Sequence, residues 1–174
     1  MLPERACVIG LGSNLGDRLG FLQTAVRGLA NYGQIRGLSA LYETAPVGPP
    51  QPDYLNAAVS LSSSLPALEL LSALLGLEQQ AGRERRERWG PRTLDLDLLF
   101  IVGEIVSVPT LSVPHPELSR RAFALLPLLD VAPEACAPES GEPYARLVEV
   151  LDRTGVREVP GSRAGWLESS LSRL

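Results

Sequence analysis

Between Leu94 and Leu98 apolar and acidic residues alternate, Leu-Asp-Leu-Asp-Leu, and no other stretch restricts the fold as tightly. Period-two alternation predicts a half-buried strand, with Leu94, Leu96 and Leu98 toward a core and Asp95 and Asp97 together on the opposite face. Aspartate is depleted in strands, so two on one face need a reason. Alternate strand residues stand about 6.5 to 7 Å apart, so two converging carboxylates can hold one divalent ion, or two ions about 4 Å apart. Hard oxygen donors select magnesium over zinc. On residue types alone a solvated sheet face is an equal alternative. The upstream sequence tips the balance: Arg83, Arg85, Arg86, Arg88 and Arg92 crowd into ten residues, around Trp89 and Gly90-Pro91. A guanidinium-rich loop beside a metal-binding strand end suits a polyphosphate, and its self-repulsion predicts a segment that orders around one.

The 16 basic residues are all arginine. Without lysine, a Walker-type phosphate loop, a protein-kinase strand lysine and a Schiff-base amine are all excluded. A net charge of −4 argues against general nucleic-acid affinity, which makes the arginine loop a local feature. The 174 residues suffice for one domain with a substantial core. Two distant cysteines, Cys7 and Cys136, read as thiols of a reducing compartment rather than a disulfide framework. With neither a signal-peptide pattern nor a long apolar span, the expectation is a soluble, cytoplasmic protein.

In chain order, Ala6 to Leu11 reads as a buried strand that enters a glycine-rich turn, Gly10-Leu11-Gly12-Ser13-Asn14-Leu15-Gly16-Asp17. As a phosphate motif this stretch is weak, because dinucleotide spacing and the Walker lysine are both missing. Asp17 can cap a helix whose apolar positions are Leu19, Leu22, Ala25, Val26 and Leu29. Ile35 to Glu43 and Tyr54 to Leu61 read as strands, joined by a stiff proline-rich loop of the kind that forms binding or lid elements. A second helix starts at Pro66 and runs to about Gly82. Strand, helix, strand, strand, helix, strand is the order of an α+β, ferredoxin-like sandwich, an antiparallel sheet with helices on one face. A hairpin extension over 101–108, a helix start near Arg120 and a short helix from Tyr144 to Leu151 follow. Residues 1–153 are expected to form the domain, and 154–174 a tail of unassigned role with one amphipathic stretch from Trp166 to Leu171. Tyr54 and Asn56 share a strand face and could stack on and hydrogen-bond to a flat heterocycle, although such pairs are more often strand-edge residues. His115 stands alone between prolines, where an exposed, merely hydrogen-bonded ring is the commoner outcome.

Taken together, GLGSNLGD, YETAPVG, QPDYLNAAV, GRERRERWGPRTLDLDLLF and VPHPELSRRAF resemble, in order and over about residues 6–150, the 6-hydroxymethyl-7,8-dihydropterin pyrophosphokinases of folate biosynthesis. The resemblance implies a ferredoxin-like fold that binds ATP with two Mg2+ ions and transfers the β,γ-pyrophosphoryl unit to the pterin hydroxymethyl group, releasing AMP. By the same resemblance, Asp95 and Asp97 are the metal ligands, and Arg83 and Arg92 neutralise the moving pyrophosphate. Glu78, Arg85, Trp89, Arg92, His115 and Arg121 line the ATP site. Thr44, Val47, Tyr54, Asn56 and Phe123 hold the pterin, Tyr54 and Phe123 as its stacking faces. The expected state is a monomer or weak homodimer, with no membrane or nucleic-acid partner.

Two other functions use the same residues. A ferredoxin-like nucleic-acid module needs exposed aromatics on its central strands, where this chain has aliphatics and two phosphate-repelling aspartates. A metal-dependent phosphohydrolase would use the same acids with water as the acceptor.

Overall fold

The computed structural model describes residues 3–46, 48–82 and 90–167. In chain order these form strand β1 (Arg5–Ser13), helix α1 (Arg18–Leu29), β2 (Gln34–Leu38), β3 (Tyr42–Thr44), β4 (Tyr54–Ser63), α2 (Ala67–Gln80), β5 (Asp95–Ile101), a hairpin of β6 (Val106–Val108) and β7 (Leu111–Val113), α3 (Ala122–Val131), α4 (Tyr144–Val150) and β8 (Val156–Glu158). The main sheet has the order β5-β1-β4-β3-β8, with β2 also on β4, and every pairing is antiparallel. The ferredoxin-like core is the one expected.

Alternation sorts the strands into two faces. Cys7, Ile9 and Leu11 of β1, Leu55, Ala57, Val59 and Leu61 of β4, and Leu96 and Leu98 of β5 meet α1 and α2 in one apolar core. On the other face Val8, Ala58, Leu99 and Phe100 pack with Leu125 and Leu128 of α3 and Tyr144 of α4. Helices therefore cover both faces rather than one, the second layer coming from sequence that follows the ferredoxin-like repeat. The local signals are ordinary ones. Asp17 caps α1 by accepting from the Gly20 N–H at 3.0 Å, and α2 buries Leu70, Leu74 and Leu77 at helical spacing.

Several expected elements differ. The hairpin expected over 101–108 lies further on, at 106–113, because Val106 to Val108 pair with Leu111 to Val113 and not with the end of β5. The strand expected over Ile35 to Glu43 is broken into β2 and β3 at Ser39-Ala40-Leu41. There side chains take over backbone groups that a continuous ladder would use. The Ser39 hydroxyl accepts from the Ala58 N–H at 2.8 Å and donates to the Ala40 carbonyl at 2.6 Å, while Asp130 accepts from the Ala40 N–H at 3.1 Å. Conversely, β1 does not stop at Leu11: its ladder runs through Gly12 and Ser13, so these two residues of the expected turn belong to the strand. Residues 154–167, from the stretch set apart as a tail, contribute β8 to the sheet edge and pack Trp166 and Leu167 into the α1–α2 core.

Candidate active site

The second face is only half covered. Beyond Val8 and Ala58 it opens into a pocket of about 230 Å3 beside the start of α3. Cross-strand register explains what lines it. Gly12 of β1 lies between Asp95 of β5 and Asn56 of β4, and Gly10 lies between Asp97 and Ala58. Acids stand on one side of β1 and an amide on the other, with two residues lacking side chains between them. A Cβ on Gly12 would come within 3.0 Å of the Asn56 Oδ1, and one on Gly10 within 3.0 Å of Leu99. Glycine thus makes the pocket floor out of backbone. Neighbouring strands are about 4.8 Å apart, so β5 and β4 set the acids and the amide about 10 Å apart across that floor.

At the β5 end, Asp95 is partly buried and Asp97 is exposed. The Arg92 Nη1 pairs with the Asp95 Oδ1 at 2.7 Å. Burial works against the Arg92 charge, but Asp95, with help from Asp97, more than offsets this and raises its pKa. Among the described residues no group of three or more His, Cys, Asp or Glu side chains is placed to hold a metal. A two-carboxylate oxygen set fits a hard ion that takes its remaining ligands from phosphate and water, the usual habit of magnesium.

At the β4 end, buried Asn56 donates from Nδ2 to the Thr44 Oγ1 at 2.7 Å. Both residues line the pocket, as do Tyr54 and Phe123. With Thr44 Oγ1 accepting, its hydroxyl proton can be directed into the pocket, which therefore offers hydroxyl and amide groups alongside two aromatic residues. The first turn of α3 closes the wall with Arg121, Phe123 and Ala124, the Arg121 guanidinium lying 5.8 Å from the Phe123 ring centroid. A helix start carries partial positive charge, which favours an anion there.

His115 is anchored by its own N–H, which donates to the Leu99 carbonyl at 2.8 Å, and its Nδ1 accepts from the Glu117 N–H at 3.2 Å. An accepting Nδ1 puts the proton of the neutral ring on Nε2 and makes that nitrogen a donor. His115 lines the same pocket.

Of the expected site residues, Thr44, Tyr54, Asn56, Arg92, Asp95, Asp97, His115, Arg121 and Phe123 therefore converge on one cavity. Arg83, Arg85, Trp89 and Val47 lie outside the described residues. Glu78 is elsewhere: it is buried on α2 and accepts from the Leu96 N–H at 2.8 Å, occupying a donor on the outer edge of β5. Sequence reasoning missed Gly10, Gly12 and Asn14. Asn14, 1% exposed, bridges two loops: its Oδ1 accepts from the Arg92 N–H at 2.8 Å, and its Nδ2 donates to the Gln51 Oε1 at 2.9 Å and the Pro52 carbonyl at 3.0 Å. Nothing local distinguishes that asparagine from a turn residue, because its partners are 37 and 78 positions away.

A ferredoxin-like sheet thus carries acids and arginine at one end of a glycine-floored trench, and aromatics with an amide–hydroxyl pair at the other. The chain belongs to the 7,8-dihydro-6-hydroxymethylpterin-pyrophosphokinase family, whose model matches residues 8–133. Curated relatives named 2-amino-4-hydroxy-6-hydroxymethyldihydropteridine pyrophosphokinase include one from Synechocystis sp., 44% identical over 161 residues, covering 91% of this chain and 83% of the relative. Another, from Pseudomonas aeruginosa, is 38% identical over 157 residues, covering 88% and 96%. Among solved structures, Plasmodium falciparum HPPK-DHPS with pterin and p-hydroxybenzoate matches with a TM-score of 0.68 at 16% identity, over 86% of this chain and 43% of the solved one. At that identity the likeness speaks for the fold, and the chain spans less than half of that larger protein.

Proposed function

We propose that this chain transfers pyrophosphate from ATP to 6-hydroxymethyl-7,8-dihydropterin through the trench described above, with the pterin over the β4 end and the polyphosphate over the β5 end. The observation that carries the assignment is the row Asp95, Gly12, Asn56: carboxylate, bare floor and amide in adjacent register. Their spacing of about 10 Å matches a two-ring heterocycle whose one-carbon arm reaches toward the acids.

Thr44 and Asn56 would pair with the polar edge of the pterin, with Tyr54 and Phe123 against its faces. Asp95 and Asp97 would hold Mg2+, two ions with ATP, which when bound screens the phosphate charge and fixes the in-line geometry. Arg92, held by Asp95, would neutralise charge on the moving pyrophosphate, with Arg121 and the His115 Nε2–H directed at the nucleotide phosphates. Arg83, Arg85 and Trp89 would add to the ATP site, with Val47 beside the pterin. Pyrophosphoryl transfer needs positioning and charge neutralisation more than covalent help, so no protein nucleophile is required. Glu78 would act behind the site, by holding the strand that carries the aspartates.

Nucleotide products measured with ATP and magnesium, with and without the hydroxymethyl dihydropterin, test the assignment. AMP that appears only with the pterin supports it. Phosphate release without pterin would make the chain a phosphohydrolase, and no turnover would leave a binding module. Among the described residues no helix is long and apolar enough to cross a membrane.

A further inference from the structure

Residues 154–167 lie beyond the family match yet reach the strand that carries Thr44. β3 is only three residues long, and the chain before it leaves the sheet ladder at Ser39–Leu41. Its pairing with β4, Tyr42 with Asn56, Glu43 with Leu55 and Thr44 with Tyr54, satisfies one edge, and the bonds of its other edge and of the residues flanking it must come from elsewhere. The C-terminal segment supplies them at almost every step. β8 pairs Glu158, Arg157 and Val156 with Tyr42, Glu43 and Thr44. Past the ends of that ladder, the Ala45 N–H donates to the Gly155 carbonyl at 3.1 Å and the Val159 N–H to the Leu41 carbonyl at 2.8 Å. The Leu41 N–H donates to the Ser162 hydroxyl at 3.0 Å, and the Trp166 indole N–H to the Ser39 carbonyl at 2.9 Å.

The clasp is itself anchored. Trp166 is 9% exposed, and its carbonyl accepts from the Gln23 side chain of α1 at 2.8 Å. Arg163 pairs with Glu158 at 2.7 Å and with Asp130 of α3 at 2.9 Å. Asp130 also accepts from the Tyr42 hydroxyl at 2.9 Å, and burial followed by that bond raises the Tyr42 pKa and keeps the donor protonated. Buried backbone groups that would otherwise be orphaned thus find partners in this one segment and the helix it braces.

We infer that residues 155–167 are a positioning element of the pterin end of the site: by clasping Ser39 to Ala45 they hold β3 in the register that brings Thr44 to Asn56. The inference rests on the pterin assignment above. It predicts an asymmetric defect, because Thr44 lies on the clasped strand while Asp95, Asp97 and Arg92 lie at the opposite edge of the sheet, across β4 and β1. Loosening the clasp weakens the heterocycle end and leaves the polyphosphate end alone. A segment that served only overall stability would move both together.

The test compares wild type with Trp166→Phe, which keeps an aromatic ring but removes the indole N–H and some of its buried bulk, and with Ser162→Ala, each alone and combined. Calorimetry gives the affinity for a nonhydrolysable ATP analogue with magnesium, and then for 6-hydroxymethyl-7,8-dihydropterin on the nucleotide complex. The expected result for the double variant is pterin affinity down by roughly tenfold and nucleotide affinity within about twofold of wild type, as two lost hydrogen bonds allow. Backbone amide exchange at Leu41 and Ala45, read without ligand, is expected to rise while exchange in β1 and β5 stays put. Unchanged pterin affinity in the folded variants, or equal losses for both ligands, overturns the inference while leaving the function standing. Failure of wild type to bind the pterin at all overturns both. If the double variant does not fold, the single variants and their exchange pattern decide on the same terms.

Discussion

The two faces of one sheet are built from the same strands and differ in almost everything else. Toward α1 and α2, alternate residues of β1, β4 and β5 are Ile, Leu, Val, Ala and Cys with almost no exposure. Toward α3, the same strands carry Gly10, Gly12, Asn56, Asp95 and Asp97. One face stabilises the sheet, and the other spends part of its area on groups that do little for a core. Each strand can do both because its side chains alternate. An active site built in this way inherits the rigidity of the core one residue away, and hence the preorganisation that charge stabilisation requires.

Substitutions on the two faces are therefore expected to separate activity from stability. The largest effect belongs to Asp97→Asn, with Asp95→Asn beside it: turnover falls roughly a hundredfold or more while the melting transition stays close to wild type. Near-native rates at modest magnesium would show that the polar face is merely solvated. On the opposite face, Ile9→Ala removes a fully buried side chain between β4 and β5 and should cost about 2–5 kcal/mol in denaturant unfolding. The turnover of its folded fraction should be little changed, and a loss of turnover larger than the loss of folded protein would blur the division between faces.

The comparison sharpens within the polar face. Asn56→Ala leaves the Thr44 hydroxyl without its donor and a ligand edge without its partner, at about 1–3 kcal/mol of pterin affinity with ATP binding retained. Equal losses in calorimetric titrations of the two ligands would place Asn56 outside the pterin end.

The smallest expected effect is alkaline and belongs to the dry face. Burial raises the Cys7 thiol from 9.0 to about 11, a rise that the Arg5 charge opposes and Glu104 adds to. Between those values the unfolded chain loses the proton that the folded protein keeps, so this contribution to stability, complete below pH 9, declines until about pH 11. Cys7→Ala is expected to flatten the decline seen in unfolding curves measured across that window. An identical pH profile in the variant would show that Cys7 is not its source.

The core of this fold and much of the site were legible in one dimension because their signals are local. Alternation over Leu94–Leu98 placed two carboxylates on one face, Pro66 followed by Leu68, Leu71, Leu74 and Leu75 placed α2, although Leu68 and Leu75 are exposed and the stripe it buries is Leu70, Leu74 and Leu77, and the arginine cluster pointed to phosphate. What stayed hidden depends on register and on partners far along the chain. Gly10 and Gly12 look like a turn until β4 and β5 are laid beside them and their missing side chains become a floor. Asn14 looks like another turn residue until Arg92 and Pro52 reach it from either side. Glu78 sits on a buried helix stripe, and only the packing of α2 against the edge of β5 shows that its carboxylate accepts a strand N–H. The break between β2 and β3 depends on Asp130, Ser162 and Trp166, none of them a neighbour in sequence. Residue types and periodicity determined which surfaces are apolar and which groups can meet phosphate, since those are properties of short segments. Antiparallel register, decided only when the whole sheet forms, set the distance between acid and amide and assigned the C-terminal segment its place.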